Sequence, residues 1–219
     1  MTTVYVLMIF ALTLLVYAWL VFPVLVSWFA ERDARPEPPH PPETYKPPVV
    51  DVVIAAHNEA AHIAERIQNL LASDYPKDRL RVLIGVDGSD DNTARIAAEA
   101  AQGHPHIHIH EFLVRRGKVP VLKDLVALCE APVIVFSDAN SFFRKDTILR
   151  LVQPLREAAV GGVCGKLILA KDVSAETACD SEEGFYWGWE TRLKVNESRL
   201  DSCLGANGAN FAIRRELFW

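Results

Sequence analysis

The 219-residue sequence lacks the patterns that mark zinc proteins, P-loop proteins and nucleic-acid-binding proteins. Its four cysteines form no Cys-x-x-Cys pair, which indicates free thiols in a reducing compartment rather than a zinc site. It contains no Walker A sequence and no His-Glu-x-x-His sequence. The formal net charge is -5 and no long basic run occurs, so nucleic acid is not an expected partner. Binding to the phosphate backbone requires clustered Lys and Arg.

Charged residues are also absent from residues 4–29, which are rich in Leu, Val and aromatic side chains. About 20 apolar residues suffice to cross a bilayer as a helix, and residues 1–30 are therefore predicted to be a transmembrane anchor. A cleaved signal peptide is the alternative, but no basic residue precedes the run and no clear cleavage site follows it. Because Arg32, Arg35 and Lys46 follow the span, the part of the chain after it is predicted to be cytoplasmic.

The rest of the chain divides into a proline-rich segment and an alternating segment. Proline fixes φ and removes a donor, so the prolines within residues 31–48 predict an extended, semi-rigid linker. From residue 49 onward the predicted strands are 49–56, 80–86, 107–112, 133–136, 163–169 and 210–213, and the predicted helices are 60–71, 93–101, 121–128, 146–155 and 176–198. This alternation predicts an α/β fold in which a mostly parallel sheet carries helices on both faces.

Two acidic motifs follow apolar runs that are typical of buried strands. Val-Asp-Gly-Ser-Asp-Asp-Asn-Thr spans residues 86–93, and Ser-Asp-Ala-Asn spans residues 137–140. Ligands of open α/β sheets bind beyond the carboxyl ends of the strands, so Asp87 and Asp138 are predicted to lie at a ligand site. Mg²⁺ or Mn²⁺ is commonly bound by one or two carboxylates together with substrate phosphates. Asp138 and Asn140 are the predicted metal-binding residues, with an ordinary Asp and Asn turn as the alternative.

Three further segments suit the same site. Residues 57–59 follow the first strand at a predicted helix start, where free N–H groups can bind a ligand, although helix capping explains the same residues. Arg116 and Lys118 can place positive charge near a diphosphate or belong to a solvated loop. Gly88 and the small residues at 205–210 permit either the close approach of a ligand or a simple turn.

Together these motifs resemble the inverting family 2 glycosyltransferases, which have a GT-A fold. The resemblance is closest to membrane-bound processive members, namely the cellulose, chitin, hyaluronan and poly-N-acetylglucosamine synthases. The matching segments are 56–59, 86–93, 116–118, 137–140, 204–209 and 214–215, in the family's order. The resemblance implies that residues 49–219 are a GT-A domain. It also implies that the protein transfers a sugar from a nucleotide-sugar, with UDP favoured, to a growing polysaccharide or a lipid-linked acceptor with inversion.

The resemblance also implies residue roles. Glu59 and Asp87 would contact the nucleoside, and Lys118 would lie near the diphosphate. Asp138 would bind the metal at the family's Asp-x-Asp position, with Asn140 in place of the second aspartate. The implied donor site contains His57, Asn58, Glu59, Asp87, Gly88, Arg116, Lys118, Asp138 and Asn140. The implied acceptor site contains Gly205, Ala206, Asn207 and Gly208.

The sequence departs from the family pattern at its end. The family's general base is an aspartate in a Glu-Asp or Asp-Asp pair beyond the Arg-Arg-Glu-Leu-Phe segment, and a Gln-x-x-Arg-Trp motif and further membrane helices follow. None of these follows residue 218 here, which predicts an N-terminal fragment without its base. The alternative function is a non-catalytic or truncated module that binds a sugar nucleotide and a metal but transfers sugar poorly.

Overall fold

The computed structural model describes residues 2–33, 45–166, 182–206 and 208–218. These residues belong to two compact units. One unit contains the N-terminal helices and the helix Glu182–Leu200, and the other contains a six-stranded sheet with its flanking helices. The domain boundaries predicted at residues 30 and 48 remain predictions.

The N-terminal unit is dominated by one long apolar helix. Helix α1 (Thr2–Val16) continues through a π-helical stretch (Tyr17–Val21) into α2 (Phe22–Asp33). The stretch Thr2–Arg32 covers 31 residues with a mean hydropathy of 2.5, which is long and apolar enough to span a membrane. The last helix of this unit packs against α2, where the amide of Asn196 donates a hydrogen bond to Ser27 Oγ at 3.0 Å.

The second unit is built on a sheet whose strands follow the predicted order along the chain. They are β1 (Val50–Ala56), β2 (Leu80–Asp87), β3 (Ile107–Phe112), β4 (Val133–Asp138), β5 (Gly162–Cys164) and β6 (Asn210–Arg214). Their order in the sheet is β3-β2-β1-β4-β6-β5. Strands β1 to β4 pair in parallel, whereas β6 is antiparallel to both β4 and β5. The predicted mostly parallel α/β sheet is confirmed.

Helices cover both faces of this sheet. They are α3 (Ile63–Leu71), α4 (Thr93–Ala100), α5 (Lys118–Ala127) and α6 (Thr147–Val152). The remaining helix, α7 (Glu182–Leu200), belongs to the other unit. Successive strand residues point to opposite faces. Val52 and Ile54 therefore join one core with Ile67 of α3, while Val53 joins a second core with Leu125 of α5. The predicted two-sided covering is confirmed.

Several predicted boundaries were wrong. The strand predicted at 163–169 is the short β5, and its residues 167–169 lie outside the described residues, as do 176–181 of the last predicted helix. The helix predicted from residue 60 begins at Ile63, because the N–H groups of Glu59 and Ala60 donate to side chains at the start of α4 and in the loop before it. Asp146 stands at the N-cap position of α6, but its carboxylate pairs with Arg150 at 2.6 Å and makes no capping hydrogen bond.

The strand order places a ligand site at one point of the sheet. From β1 the chain proceeds to β2 and β3 on one side, while β4 pairs with the other side of β1. The parallel register sets Ala55 of β1 beside Gly85 of β2 and Asp138 of β4, so the carboxyl ends of all three strands meet. Open α/β sheets bind ligands where the strand order reverses in this way.

Candidate functional site

A cleft of about 260 Å³ lies at the carboxyl ends of β1, β2 and β4. It is lined by Ala55, Ala56, His57, Glu59, Asp87, Arg115, Gly117, Lys118, Asp138, Ala139 and Asn140. Six of the nine predicted donor-site residues are among them. The structure thus brings together residues from four separate segments of the sequence, whereas Asn58, Gly88 and Arg116 do not line the cleft.

The loop after β1 is tied to the loop after β2. Asn58 has a φ of 54°, a left-handed conformation that Asn tolerates better than most residues. Its side-chain oxygen accepts a hydrogen bond from the Asp90 N–H at 2.9 Å, and its own N–H donates to Ser89 Oγ at 3.1 Å. The Glu59 N–H donates to Thr93 Oγ1 at 2.8 Å. Asn58 therefore shapes this loop, while Glu59 lines the cleft beside it.

His57 is oriented by the backbone of β2. Its Nδ1 atom lies 2.7 Å from the carbonyl oxygen of Asp87. Because a carbonyl oxygen only accepts hydrogen bonds, Nδ1 must carry the hydrogen. In the neutral ring this leaves Nε2 as the acceptor that His57 can offer to a ligand hydroxyl or N–H group.

Asp87 holds the loop between β3 and α5. Its carboxylate is only 3% exposed, and its two oxygens accept hydrogen bonds from the N–H groups of Arg116 at 2.8 Å and Gly117 at 2.7 Å. Gly88, with a φ of 54°, lies so close to this loop that a Cβ atom there would be 2.3 Å from the Arg115 backbone nitrogen. The Arg116 guanidinium stacks on Phe112 and pairs with an acid on α5, so Arg115 is the arginine of this loop that lines the cleft.

Lys118 and Asp138 form an ion pair across the cleft. Lys118 is the first residue of α5, and its ammonium group contacts the carboxylate of Asp138 at the end of β4. The Asp138 side chain is 31% exposed and the Lys118 side chain is 47% exposed, so both remain accessible to a ligand. A Cβ atom on Gly208 would lie 3.9 Å from the Lys118 ammonium nitrogen, which places this predicted acceptor residue beside the pair. Asn207 lies outside the described residues.

The donor atoms around Asp138 fit a cation that is bound together with a phosphate ligand. Among the described residues, no group of three or more His, Cys, Asp or Glu side chains is arranged to hold a metal ion. Asp138 and Asn140 both line the cleft and offer oxygen atoms, the donors that Mg²⁺ and Mn²⁺ prefer. Mg²⁺ usually takes only one or two protein carboxylates and completes its shell with water and substrate phosphates.

Sequence reasoning missed Arg66, which lies behind Asp138. It is fully buried on α3, and its Nη2 group donates to Ser137 Oγ at 2.8 Å. Burial lowers the pKa of Arg66 to about 9, while the negative charge of Asp138 opposes this shift. The sequence did carry a signal, because Arg66 occupies a position of the apolar stripe of α3 between Ile63 and Leu70.

The structure is an open α/β sheet with acidic and basic side chains at its switch point, the place where proteins of this class bind their ligands. The chain belongs to glycosyl transferase family 2, because the model of that family matches residues 51–219. The predicted family is confirmed by this match.

Similar curated proteins include three synthases and transferases. The chain is 28% identical over 184 residues to the probable glycosyltransferase YdaM of Bacillus subtilis (strain 168), covering 78% of this chain and 41% of that protein. It is 30% identical over 118 residues to the beta-monoglucosyldiacylglycerol synthase of Trichormus variabilis, covering 53% of this chain and 25% of that protein. It is 24% identical over 117 residues to the poly-beta-1,6-N-acetyl-D-glucosamine synthase of Staphylococcus epidermidis, covering 53% and 28%. The chain thus spans less than half the length of each.

Solved structures share the fold. The mannosyltransferase PcManGT from Pyrobaculum calidifontis, solved with GDP-Man and Mn²⁺, aligns with a TM-score of 0.73 and 28% identity over 94% of this chain and 55% of that one. TarS 1-349 of S. aureus with UDP-GlcNAc aligns with a TM-score of 0.52 and 18% identity over 61% and 38%, a likeness of fold alone. The predicted GT-A fold is confirmed.

Proposed function

We propose that this chain contains the donor-binding part of a membrane-anchored, metal-dependent glycosyltransferase. The enzyme would transfer a sugar, a hexose in this proposal, from a nucleotide-sugar to a polysaccharide or lipid-linked acceptor with inversion. The observation that carries the proposal is the Lys118–Asp138 pair at the switch point of the sheet. It supplies one cation and one carboxylate, which are the groups that a metal-bound diphosphate requires. The apolar helix Thr2–Arg32 is the proposed anchor, with the sheet unit in the cytoplasm.

Five side chains of the cleft have a role in this proposal. Asp138 and Asn140 would hold Mg²⁺ or Mn²⁺ together with the diphosphate, and the ion would supply charge stabilisation to the leaving group. With the Asp138 carboxylate used in this way, Lys118 would be available to bind the diphosphate. It stands at the N-terminus of α5, where free N–H groups and the helix dipole also favour an anion. His57 and Glu59, beyond β1, contact the nucleoside, and UDP is the nucleotide that the sequence resemblance favours.

The transfer step needs a group that this proposal does not assign to any of the 219 residues. In an inverting displacement the acceptor oxygen bonds to the anomeric carbon as the bond to the diphosphate breaks, and a general base takes the acceptor's proton. Asn140 stands where the family resemblance implies a metal-binding carboxylate. This observation favours a second candidate function, a module that binds donor and metal without transferring sugar.

Calorimetric titration of the detergent-solubilised chain tests the donor site. UDP and GDP would each be titrated with and without Mn²⁺, using the wild type, Asp138→Ala and Asp146→Ala. Asp146 is a matched control, because its side chain is also 31% exposed and ion-paired but does not line the cleft. We expect metal-dependent binding that Asp138→Ala abolishes and Asp146→Ala retains. A folded wild type that binds neither nucleotide would refute the proposal.

The same preparation separates the two candidate functions. The wild type would be incubated with the nucleotide-sugar, Mn²⁺ and a candidate acceptor, and nucleotide release would be followed. A chain without its base should bind the donor but release nucleotide slowly. Turnover comparable to complete synthases would exclude the non-catalytic module and show that the base lies within these residues.

A further inference from the structure

Arg66 is a buried cation on the apolar face of a core helix. It is 0% exposed, and it stands on α3 among Ile63, Ile67 and Leu70, which are buried as well. Removing a charge from water is expensive unless an opposite charge and hydrogen bonds compensate for the loss. An apolar side chain at this position would therefore serve the core at a lower cost.

The compensation for this buried charge is incomplete in the part of the chain that the structure describes. The guanidinium donates to the side-chain oxygens of Asn69 and Ser137 and stacks on the ring of Phe143 at 4.1 Å. These three groups are neutral. The Nε atom of Arg66 is buried without a hydrogen-bond partner among the described residues. Stability of the fold therefore does not explain why a cation is kept here.

The contacts of Arg66 converge on both ends of one short segment of the cleft. Ser137, which accepts its hydrogen bond at 2.8 Å, directly precedes Asp138. Asn69 accepts a hydrogen bond from the Phe143 N–H at 2.8 Å and donates one to the Phe143 carbonyl oxygen at 2.8 Å. The segment 137–143 is thus fastened to α3 at its first and last residues. Asp138 and Asn140, the proposed metal-binding residues, lie between these two attachments.

We propose that Arg66 is a positioning residue of the donor site, which together with Asn69 fixes segment 137–143 so that Asp138 and Asn140 present their oxygens to a metal-bound diphosphate. This inference rests on the proposed function of the cleft. The charge of Arg66 also attracts the Asp138 carboxylate from the protein side, since Asp138 is the charged group that acts on Arg66. A bound metal would attract the same carboxylate from the cleft side.

The test compares Arg66→Met with Ile67→Ala, a core variant of the same helix that leaves segment 137–143 attached. Both chains, with the wild type, would be titrated in detergent with UDP or GDP, whichever the wild type binds, over a range of Mn²⁺ concentrations. Partners that orient metal ligands typically contribute about 10- to 100-fold to metal affinity. We expect Arg66→Met to weaken the Mn²⁺-dependent part of nucleotide binding by about that factor and to leave metal-free binding unchanged. Ile67→Ala should lower the Tm without changing the Mn²⁺-dependent or the metal-free binding of the nucleotide.

Two further variants cover the case in which Arg66→Met does not fold. Arg66→Lys keeps the charge but not the two-armed guanidinium, and it should restore part of the Mn²⁺-dependent binding. Ser137→Ala removes only the hydroxyl that accepts from Arg66, and it should weaken Mn²⁺-dependent binding several-fold.

Each remaining outcome is decisive. A folded Arg66→Met or Ser137→Ala chain that binds like the wild type overturns the role of Arg66 and leaves the proposed donor site intact. Equal losses of Mn²⁺-dependent binding in Arg66→Met and Ile67→Ala would show that Arg66 has only a structural role. A folded wild type that binds no nucleotide with Mn²⁺ overturns both the donor site and this inference.

Discussion

One aspartate is buried at each end of the parallel sheet, and the two carboxylates differ in the number and the charge of their hydrogen-bond donors. Asp51 at the amino end is 1% exposed and accepts four hydrogen bonds, two from the Arg81 guanidinium and two from the N–H groups of Glu130 and Ala131. Asp87 at the carboxyl end is 3% exposed and accepts two, both from neutral backbone N–H groups. The amino end is called the saturated end below, because Asp51 accepts four hydrogen bonds that stabilise the fold. At the carboxyl end, Asp87 instead holds the loop between β3 and α5 beside the cleft.

The clefts at the two ends show the same contrast. The cleft at the amino end is the larger, with a volume of about 560 Å³ against 260 Å³. Its cations are already engaged, because Arg81 pairs with Asp51 and the ammonium group of Lys77 donates to two backbone carbonyls. The smaller cleft has accessible charged groups of both signs in Lys118 and Asp138. The chemistry of the lining therefore locates the site better than the volume does.

The largest effect should come from breaking the saturated end. Asp51→Ala leaves Arg81 partly buried without its carboxylate and two backbone N–H groups without their acceptor. Breaking a buried pair costs about 3–5 kcal/mol, and since the Arg81 side chain is 27% exposed we expect about 3 kcal/mol in denaturant unfolding. Nucleotide binding by the folded variant should be unchanged. A loss below about 1 kcal/mol, no larger than that expected for an exposed ion pair, would contradict the contrast between the two ends.

The next largest effect should come from Gly88, which lies very close to the β3–α5 loop at the carboxyl end of the sheet. Gly88→Ala combines a left-handed backbone with a Cβ atom 2.3 Å from the Arg115 nitrogen, so the β3–α5 loop must shift. Strain of this kind costs about 2 kcal/mol, and nucleotide binding should weaken with it. Gly103→Ala is the control, because its φ is also positive but nothing lies within 4 Å, so only about 1 kcal/mol of conformational cost is expected. Equal losses in both variants would show that the loop yields easily.

A smaller effect tests the lysine of the cleft, which is paired with Asp138 but remains accessible. Lys118→Gln should weaken binding of a nucleoside diphosphate by about 1 kcal/mol, roughly fivefold, because a half-exposed cation contributes less than a buried one. The loss should be smaller for a nucleoside monophosphate. Lys123→Gln on the exposed side of the same helix should change neither affinity. Calorimetry of both variants with both nucleotides measures the difference in affinity. An equal loss of affinity for the diphosphate and the monophosphate would show that Lys118 does not contact the diphosphate group.

The sequence predicted the sheet and the clustering of the cleft well. Apolar runs of strand length between helical patterns are enough to predict β1 to β4. Residues that follow such runs, like Asp87 and Asp138, must then lie at the carboxyl edge of a parallel sheet. Topology therefore carried His57, Glu59 and Lys118 to the same cleft without any knowledge of side-chain conformations.

Side-chain partners were not predictable in the same way. The Asp91 carboxylate accepts hydrogen bonds from the Thr93 N–H at the start of α4 and from the Ala60 N–H across the two loops, and the second is a tertiary contact that no local pattern contains. Arg115 and Arg116 are equivalent in the sequence, and only the stacking on Phe112 decides which of them faces away from the cleft. Asn69 became visible as a partner of segment 137–143 only once α3 was packed beside β4.

The smallest predicted effect is a pH dependence of stability that comes from Asp51. Burial raises the pKa of Asp51, but hydrogen bonds from Arg81 and from the N–H groups of Ala131 and Glu130 outweigh it and hold the pKa below its usual value. The unfolded chain therefore takes up this proton at a higher pH than the folded chain does. The stability that the group contributes is complete above about pH 4 and is lost as the pH falls through the lower folded pKa. Unfolding free energies measured from pH 6 downward should fall more steeply below pH 4 in the wild type than in Asp51→Asn, and parallel curves would show that the Asp51 carboxylate has an ordinary pKa.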